Sequence, residues 1–296
     1  MAVIFLFLDG VGIGNPSPEN PFFTHKYDSF EYLSGGSFDV TASPIYKKNH
    51  VYKAIDANLD VEGLPQSGTG QTTLFSGVNA AKVIGKHFGP YPHSGIKYLL
   101  KEQSLFSTLK KSGKKPYFMN AYPPLFFKHA KKRNRWSCTT LMVKSAEIKL
   151  NSTQEILYET ALTAEIVQNA WRDQLGINIP KITPKEAAQR LLNVLPDYDL
   201  VLYEYYLTDK AGHSQKPEDA ERVLKTLDEF LLHIIKEKAP EDILLITSDH
   251  GNLEDLSTKT HTRNKVPLFV LGDGAEKFSG IESIADVKGE ICSFLE

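Results

Sequence analysis

The sequence predicts an α/β fold: a mostly parallel central sheet with helices on both faces. Three observations predict it. Ala2 to Leu8 is an unbroken apolar run of Val, Ile, Leu and Phe, as suits a strand covered on both sides. Tyr198 to Tyr206, Ile243 to Ile246 and Val266 to Leu271 repeat that character further along the chain. Segments of helical period lie among these runs, and alternating strands and helices call for crossover connections and a parallel sheet. The composition agrees. With 296 residues, 41% of them hydrophobic and 24% charged, the chain has material for one large domain or a core with a smaller module.

The first strand ends in Asp9-Gly-Val-Gly-Ile-Gly14. A carboxylate at the carboxyl end of a central strand sits where open α/β sheets hold their ligands. A dinucleotide loop is excluded. The glycine spacing is wrong, and Asn15-Pro-Ser-Pro18 stands where the phosphate-binding helix would start. Pro16 to Ser43 reads as loop and short helix, and Tyr52 to Ala57 as a short strand. Next comes Gly63-Leu-Pro-Gln-Ser-Gly-Thr-Gly-Gln-Thr-Thr-Leu-Phe-Ser-Gly77, with a helix expected from Gln71 to Val78. Free N–H groups of Gly68, Thr69 and Gly70 at that helix start would form an anion site. Ser67 then reads either as a helix cap or as a nucleophile, with Thr69 as its rival. Gly85-Lys-His-Phe-Gly-Pro-Tyr-Pro92 is a rigid loop carrying His87. Leu105 to Lys111 is a short amphipathic helix ended by Gly113, and Lys115 to Ala121 returns to strand character.

The composition shifts after Pro123-Pro124. A basic run, Lys128-His-Ala-Lys-Lys-Arg-Asn-Arg135, precedes a helix-like segment from about Thr153 to Leu175. The expected organisation is a core of residues 1–124 and 181–296 with an inserted cap at 125–180. Lys132, Arg133 and Arg135 are candidates to grip an anion, and a solvated basic edge is the alternative. Thr183-Pro-Lys-Glu186 is a capping box with proline at the first helical position, opening a helix to about Leu195. Val223, Leu224, Leu227, Leu231 and Ile234 give Glu218 to Lys238 a helical period. A last helix is expected from Ile284 to Phe294.

Acids punctuate the strand ends: Asp9, Asp209 one turn beyond its strand, and Asp249. Asp209 and His213 stand four apart and share one helix face. His250 adjoins Asp249, and His261 lies in Thr260-His-Thr-Arg-Asn-Lys-Val-Pro267. If the strands are all parallel, Asp9, Ser67, Asp209, His213, Asp249, His250 and His261 can converge on one sheet edge. Mixed Asp and His ligands suit zinc, manganese or iron, and magnesium less well. Bulk properties narrow the rest. The net charge of -2 gives no electrostatic reason for a nucleic-acid or membrane partner, and no protein partner is inferable. Cys138 and Cys292 form no disulfide framework and fit a reducing compartment. The first apolar run meets Asp9 too soon to span a bilayer and has no basic leader, so a cytoplasmic setting is expected.

Asp9-Gly-x-Gly, the Ser67-x-x-Gly-Gln turn, Asp209-x-x-x-His213, Asp249-His-Gly-Asn252 and His261-Thr, in this order, resemble metalloenzymes of the alkaline phosphatase superfamily. The branch is that of cofactor-independent phosphoglycerate mutase and phosphopentomutase. The resemblance implies an alkaline-phosphatase-like three-layer sandwich with a small inserted cap. It implies two divalent ions, manganese or zinc first and magnesium as a further candidate. Asp9, Ser67, Asp249 and His250 would hold one; Asp209, His213 and His261 would hold the other. Ser67 would be the nucleophile, matched through Gly70 and Gln71, although the mutases carry His where this chain has Gln71. Thr69, Gln71, Asn79, His87, Arg133 and Arg135 are the substrate-side candidates. The mutases use a large inserted domain, and the cap expected here is small. The expected function is therefore a phosphomonoesterase acting through phosphoserine on a small phosphorylated metabolite. A phosphomutase is the alternative, and a catalytically silent metal- or phospholigand-binding protein is the alternative of another class. A sulfatase is disfavoured, since the Cys/Ser-x-Pro-x-Arg setting is absent.

Overall fold

In this computed structural model the apolar run at the start of the chain forms β1 (Val3–Leu8), every residue of it buried. The structure describes residues 1–133 and 135–296, apart from the side chains of Lys131 and Arg133. The expectation for Arg133 therefore lies outside the described residues. The other strands are β2 (Ile45–Lys47), β3 (His50–Ile55), β4 (Pro116–Phe118), β5 (Leu200–Tyr205), β6 (Ile243–Ser248) and β7 (Val266–Leu271). They form one sheet in the order β2-β3-β7-β6-β1-β5-β4. β1 pairs parallel with β5 and β6, and β4 pairs parallel with β5.

The sheet is mixed and mostly parallel, as expected, and β7 stands outside the parallel set. It runs antiparallel to β6 and to β3, and β2 returns along β3. The reason is local: residues 249–265 contain no helix, and a parallel neighbour needs a crossover to carry the chain back. The chain turns around at the carboxyl edge of β6, so His261 still lies at that edge, ahead of β7.

Side-chain alternation along β1 feeds two cores. Ile4, Leu6 and Leu8 join one apolar cluster, and Val3, Phe5 and Phe7 join the other. Helices cover both, giving the expected three layers. α1 (Pro21–Thr24) and α2 (Asp28–Ser34) lead into the hairpin. α3 (Ser67–Ser76), α4 (Ala80–Ile84), α5 (Lys97–Glu102) and α6 (Leu105–Lys111) follow it. The inserted stretch holds α7 (Pro124–Arg133), α8 (Cys138–Ser145), α9 (Thr153–Leu157) and α10 (Asn169–Asp173). α11 (Pro184–Val194), α12 (Leu207–Ser214), α13 (Pro217–Glu237) and α14 (Val287–Leu295) complete the chain. Leu191 of α11 and Val223, Leu227, Phe230 and Ile234 of α13 bury against the first face. Leu74 and Phe75 of α3, Met142 of α8 and Ile291 of α14 bury against the second.

The capping box forms as expected: Thr183 Oγ1 accepts from Glu186 N at 3.2 Å, and Glu186 Oε2 accepts from Thr183 N at 2.7 Å. Two helix expectations change. The helix behind Ser67 begins at Ser67 itself and closes at Gly77, with φ 73°. The long helix expected over Thr153 to Leu175 is two short ones. Glu159, Ile166 and Gln168 adopt φ of 60°, 69° and 67°, which no helix tolerates. Between them the chain pairs Leu162 beside Asn120, and its apolar residues go to different cores: Ile156, Ala161 and Trp171 to a small satellite cluster, Leu162 and Ile166 to the main one. Within the same 125–180 stretch, α8 is sunk into the core beneath α3, with Cys138, Met142 and Val143 buried.

Candidate metal centre and nucleophile turn

The carboxyl edge of the parallel strands gathers the expected residues. Asp9 follows β1, Asp249 and His250 follow β6, and β5 leads into α12 with Asp209 and His213. Gly10 has φ 69°, and a Cβ there would collide with Asp209, so glycine lets the end of β1 press against α12. Gly70 lies equally close to the Asp249 backbone, setting α3 against the end of β6.

One cluster comprises Asp9, Asp249, His250 and Ser67. Ser67 Oγ lies 2.9 Å from His250 Nε2. The same Nε2 stands 3.4 Å from Asp9 Oδ1 and 3.6 Å from Asp249 Oδ2. Gln71 donates from Nε2 to Asp9 Oδ2 at 3.2 Å, and Gly10 N donates to Asp249 Oδ1 at 3.4 Å. The second cluster adjoins it. His213 Nε2 is 3.3 Å from Asp209 Oδ2, and His261 Nε2 is 3.6 Å from Asp209 Oδ1 and 3.2 Å from His213 Nε2. The His250 and His261 rings stack at 3.8 Å between centroids. His250 belongs to both groups, since Asp9, Asp249 and His250, and also Asp209, His250 and His261, bring ligand-type atoms within 4.8 Å of one another.

The imidazoles are arranged as metal ligands are. His261 Nδ1 donates to the Pro65 carbonyl at 2.7 Å, His213 Nδ1 to the Lys259 carbonyl at 2.7 Å, and His250 Nδ1 to the Gly251 carbonyl at 3.4 Å. A carbonyl can only accept, so each ring keeps a proton on Nδ1 and presents Nε2 to the carboxylates. Nε2 is a lone pair when the ring is neutral and a second N–H when it is protonated, as His213 is favoured to be beside Asp209. Asp9 Oδ1 and Asp249 Oδ2 are buried without a hydrogen-bond donor. Buried anionic oxygens facing imidazole lone pairs are costly unless a cation sits among them. The residues therefore fit divalent ions.

The electrostatics agree. Burial pushes Asp249 up to about 7, with the Asp209 charge adding to it. Burial, then the Asp249 charge, raises Asp9 well above the usual carboxylate range. Burial also lowers His250, and lowers His261 to about 4 with help from His250. Asp209 goes the other way. Burial opposes its ionisation, but the His213 hydrogen bond, the His250 charge and the Asn252 hydrogen bond outweigh that and hold it at about 2. The Asp209 hydrogen bond in turn raises His213. A bound cation reverses the penalty on Asp9 and Asp249.

A family profile described as the metalloenzyme superfamily matches residues 1–296. The chain belongs to the metalloenzyme superfamily. Within this superfamily it is 24% identical over 197 residues to the 2,3-bisphosphoglycerate-independent phosphoglycerate mutase of Yersinia pestis, covering 60% of this chain and 37% of that one. It is 32% identical over 88 residues to the phosphopentomutase of Alkaliphilus oremlandii, covering 29% and 23%. The chain thus matches 37% of the length of the phosphoglycerate mutase and 23% of that of the phosphopentomutase. In fold it is similar to the alkaline phosphatase of the Antarctic bacterium TAB5, with a TM-score of 0.57, 14% identity, and 99% and 96% of the two chains covered. The phosphoglycerate mutase of Leishmania mexicana gives a TM-score of 0.51 at 10% identity, covering 99% and 95%.

The remaining candidates of this superfamily member divide. Gln71 reaches the cluster. Thr69 does not offer a free group: its Oγ1 donates to the Gln66 carbonyl at 3.1 Å and accepts from Phe88 N at 3.2 Å. Its N–H donates to Phe88 O at 2.9 Å, and Gly70 N donates to Gln66 O at 2.8 Å. The free N–H groups expected at Thr69 and Gly70 are therefore spoken for. The loop after His87 has folded back over the start of α3, a tertiary contact with no local signature. Asn79 caps α4 through Lys82 N and donates to the Leu59 carbonyl at 2.7 Å. His87 Nε2 is anchored on the Val61 carbonyl at 3.2 Å. Both tie loops together. Arg135 is exposed, its guanidinium 3.9 Å over the Tyr91 ring.

Residues without a predicted role also shape the site. Asn252 donates to Asp209 Oδ1 at 2.6 Å, orienting it for the imidazoles. Thr208 Oγ1 donates to the Asp9 carbonyl at 2.5 Å. Glu204, buried on β5, accepts from Thr139 Oγ1 at 2.8 Å, and burial raises it to about 7. An acid inside an apolar strand was its sequence signal.

Proposed function

We propose that this chain is a metal-dependent phosphomonoesterase that acts through a phosphoserine at Ser67 on a small phosphorylated metabolite. The observation that carries the reading is the Ser67 hydroxyl, at the start of α3 and 2.9 Å from His250 Nε2, within the Asp9–Asp249–His250 cluster. Asp9, Ser67, Asp249 and His250 would hold one divalent ion, and Asp209, His213 and His261 a second. Such ions supply charge to the phosphoryl oxygens and lower the proton affinity of a bound hydroxyl. Ser67 Oγ attacks phosphorus, the ester P–O bond breaks and the leaving oxygen takes a proton. Water then attacks the phosphoserine, releasing phosphate and restoring the hydroxyl. Gln71 holds Asp9, and Asn252 holds Asp209. Arg135, between α7 and α8, stacks on Tyr91 of the loop that covers the start of α3 and can receive an anionic substrate from the cap side.

A phosphomutase is the second reading, favoured by the sequence relatives, which are mutases. The shortness of 125–180 supports hydrolysis, since a mutase must retain and reorient its dephosphorylated intermediate. With α8 sunk into the core, still less of that stretch is free to act as a lid. Phosphorylated metabolites incubated with manganese, zinc or magnesium separate the readings. Phosphate release without isomer formation supports the phosphatase. Isomer formation without release supports the mutase. Neither, on any ester, supports a protein that only binds its ligand.

A further inference from the structure

We propose that Glu254 is the positioning residue that fixes the two metal clusters relative to each other. Its carboxylate is 1% exposed and sits behind the site. Oε2 accepts from the backbone N–H groups of Gly12 and Asn252, each at 2.8 Å. Oε1 accepts from the Thr262 hydroxyl and from Asn264 Nδ2, the latter at 2.9 Å. These four donors come from three chain segments: the loop after β1 and the two ends of the β6–β7 connection. Gly12 lies three residues after Asp9, Asn252 two after His250, and Thr262 one after His261. One side chain thus joins the loop that carries Asp9 to both ends of the β6–β7 connection, which carry the Asp249–His250 pair and His261. Through Asn252, which donates to Asp209 Oδ1 at 2.6 Å, it reaches Asp209 as well.

The glycines of the two strongest motifs are explained by the same group. A Cβ at Gly12 or at Gly251 would overlap Glu254 Oε1. The second glycine of Asp9-Gly-Val-Gly12 and the glycine of Asp249-His-Gly251 leave room for a carboxylate that lies far from Gly12 in sequence. Four converging donors call for an acceptor-only group with two oxygens, which a carboxylate is. Without it, the Gly12 and Asn252 N–H groups would be buried without partners.

The proposal rests on the two-ion reading above, and the experiment separates the two. The two oxygens of Glu254 have unlike partners. The N–H groups on Oε2 cannot reverse, whereas the Thr262 hydroxyl and Asn264 amide on Oε1 can turn to accept. Glu254→Gln can therefore keep its oxygen on the backbone pair and its amide on the adaptable pair, retaining the clamp. Glu254→Ala removes the clamp. Manganese titration of the full-length protein, followed by calorimetry and electron paramagnetic resonance, reads ion count, affinities and spin coupling between neighbouring ions. Near-UV circular dichroism checks the metal-free fold.

Wild type and Glu254→Gln should take two coupled ions. Folded Glu254→Ala should bind the first ion normally and the second about 10–100-fold more weakly, with coupling lost. Folded Glu254→Ala holding two coupled ions at wild-type affinity overturns the proposal, because a merely structural role lowers stability without touching that signature. If Glu254→Ala does not fold, Thr262→Val cuts one arm with the carboxylate in place, and the same two results decide. Fewer than two ions on the wild type overturns the two-ion reading itself.

Discussion

On the proposed reading, Ser67 and His213 are single side chains on which the chemistry depends. Ser67→Ala removes the group that would receive phosphate and leaves Asp9, Asp249 and His250 in place. Turnover of any accepted ester should fall at least about a thousandfold, with metal content retained. Steady-state kinetics and metal analysis on the same sample check this, and wild-type turnover would refute the nucleophile. His213 is exposed and meets the site only through Asp209 and His261. His213→Ala should empty the second position and spare the first, which equilibrium dialysis with manganese would show; retention of both ions would refute the assignment. Both proposed roles rest on local patterns, Ser67-x-x-Gly-Gln and Asp209-x-x-x-His213, through which the sequence resembles the family. Thr69, Asn79 and His87 had the right chemistry, yet Thr69 Oγ1, Asn79 Nδ2 and His87 Nε2 are engaged by loop carbonyls that only folding brings near.

Among the elements, α3 and α11 show two ways a helix is fixed. α3 is buried along its whole length, and Phe75 meets Phe7 edge-on at 5.4 Å between centroids and Phe5 at 6.2 Å. Packing holds it, so Phe75→Ala should cost about 3–5 kcal/mol in chemical denaturation and loosen the Ser67 turn. α11 depends on its start as well. Thr183→Ala removes the capping-box acceptor and should cost about 1 kcal/mol, with turnover unchanged, since the Thr183 hydroxyl is engaged with Glu186 and not with a metal-ligand candidate. The box was legible because its signal spans four residues. The break between α9 and α10 was not. Apolar spacing there suggested one helix, but Leu162 and Trp171 bury in different clusters and the chain bends to serve both.

At the scale of the whole molecule, the site opposes the fold when no cation is bound. Asp249, raised to about 7 by burial, contributes fully to metal-free stability below its unfolded value of about 3.9. That contribution is lost as pH rises toward about 7, and Asp9 acts in the same direction. His261, lowered to about 4, acts in reverse: its contribution is present above about 6.5 and is lost as pH falls through about 4. Cations relieve the carboxylate penalty and compete with protons for the imidazoles. The rise in Tm on adding manganese should therefore grow from about pH 5 to about pH 8. Differential scanning calorimetry of stripped and loaded protein measures it, and a gain independent of pH would count against metal at these carboxylates.

The sequence by itself determined the apolar strands, though not the short β2, together with the acids at their ends and the order of the motifs. Each depends on a few adjacent residues: an apolar run too long to leave in water, a carboxylate at its end, a histidine one turn on. Only the tertiary structure decided that β7 runs antiparallel and still delivers His261 to the same edge. Only it decided that His250 stands between both clusters, and that the Phe88 loop occupies donors expected to be free. Glu254 belongs there too. No local pattern marks it out, because folding brings Gly12 from the loop after β1, and Thr262 and Asn264 from the far end of the β6–β7 connection, onto one buried carboxylate.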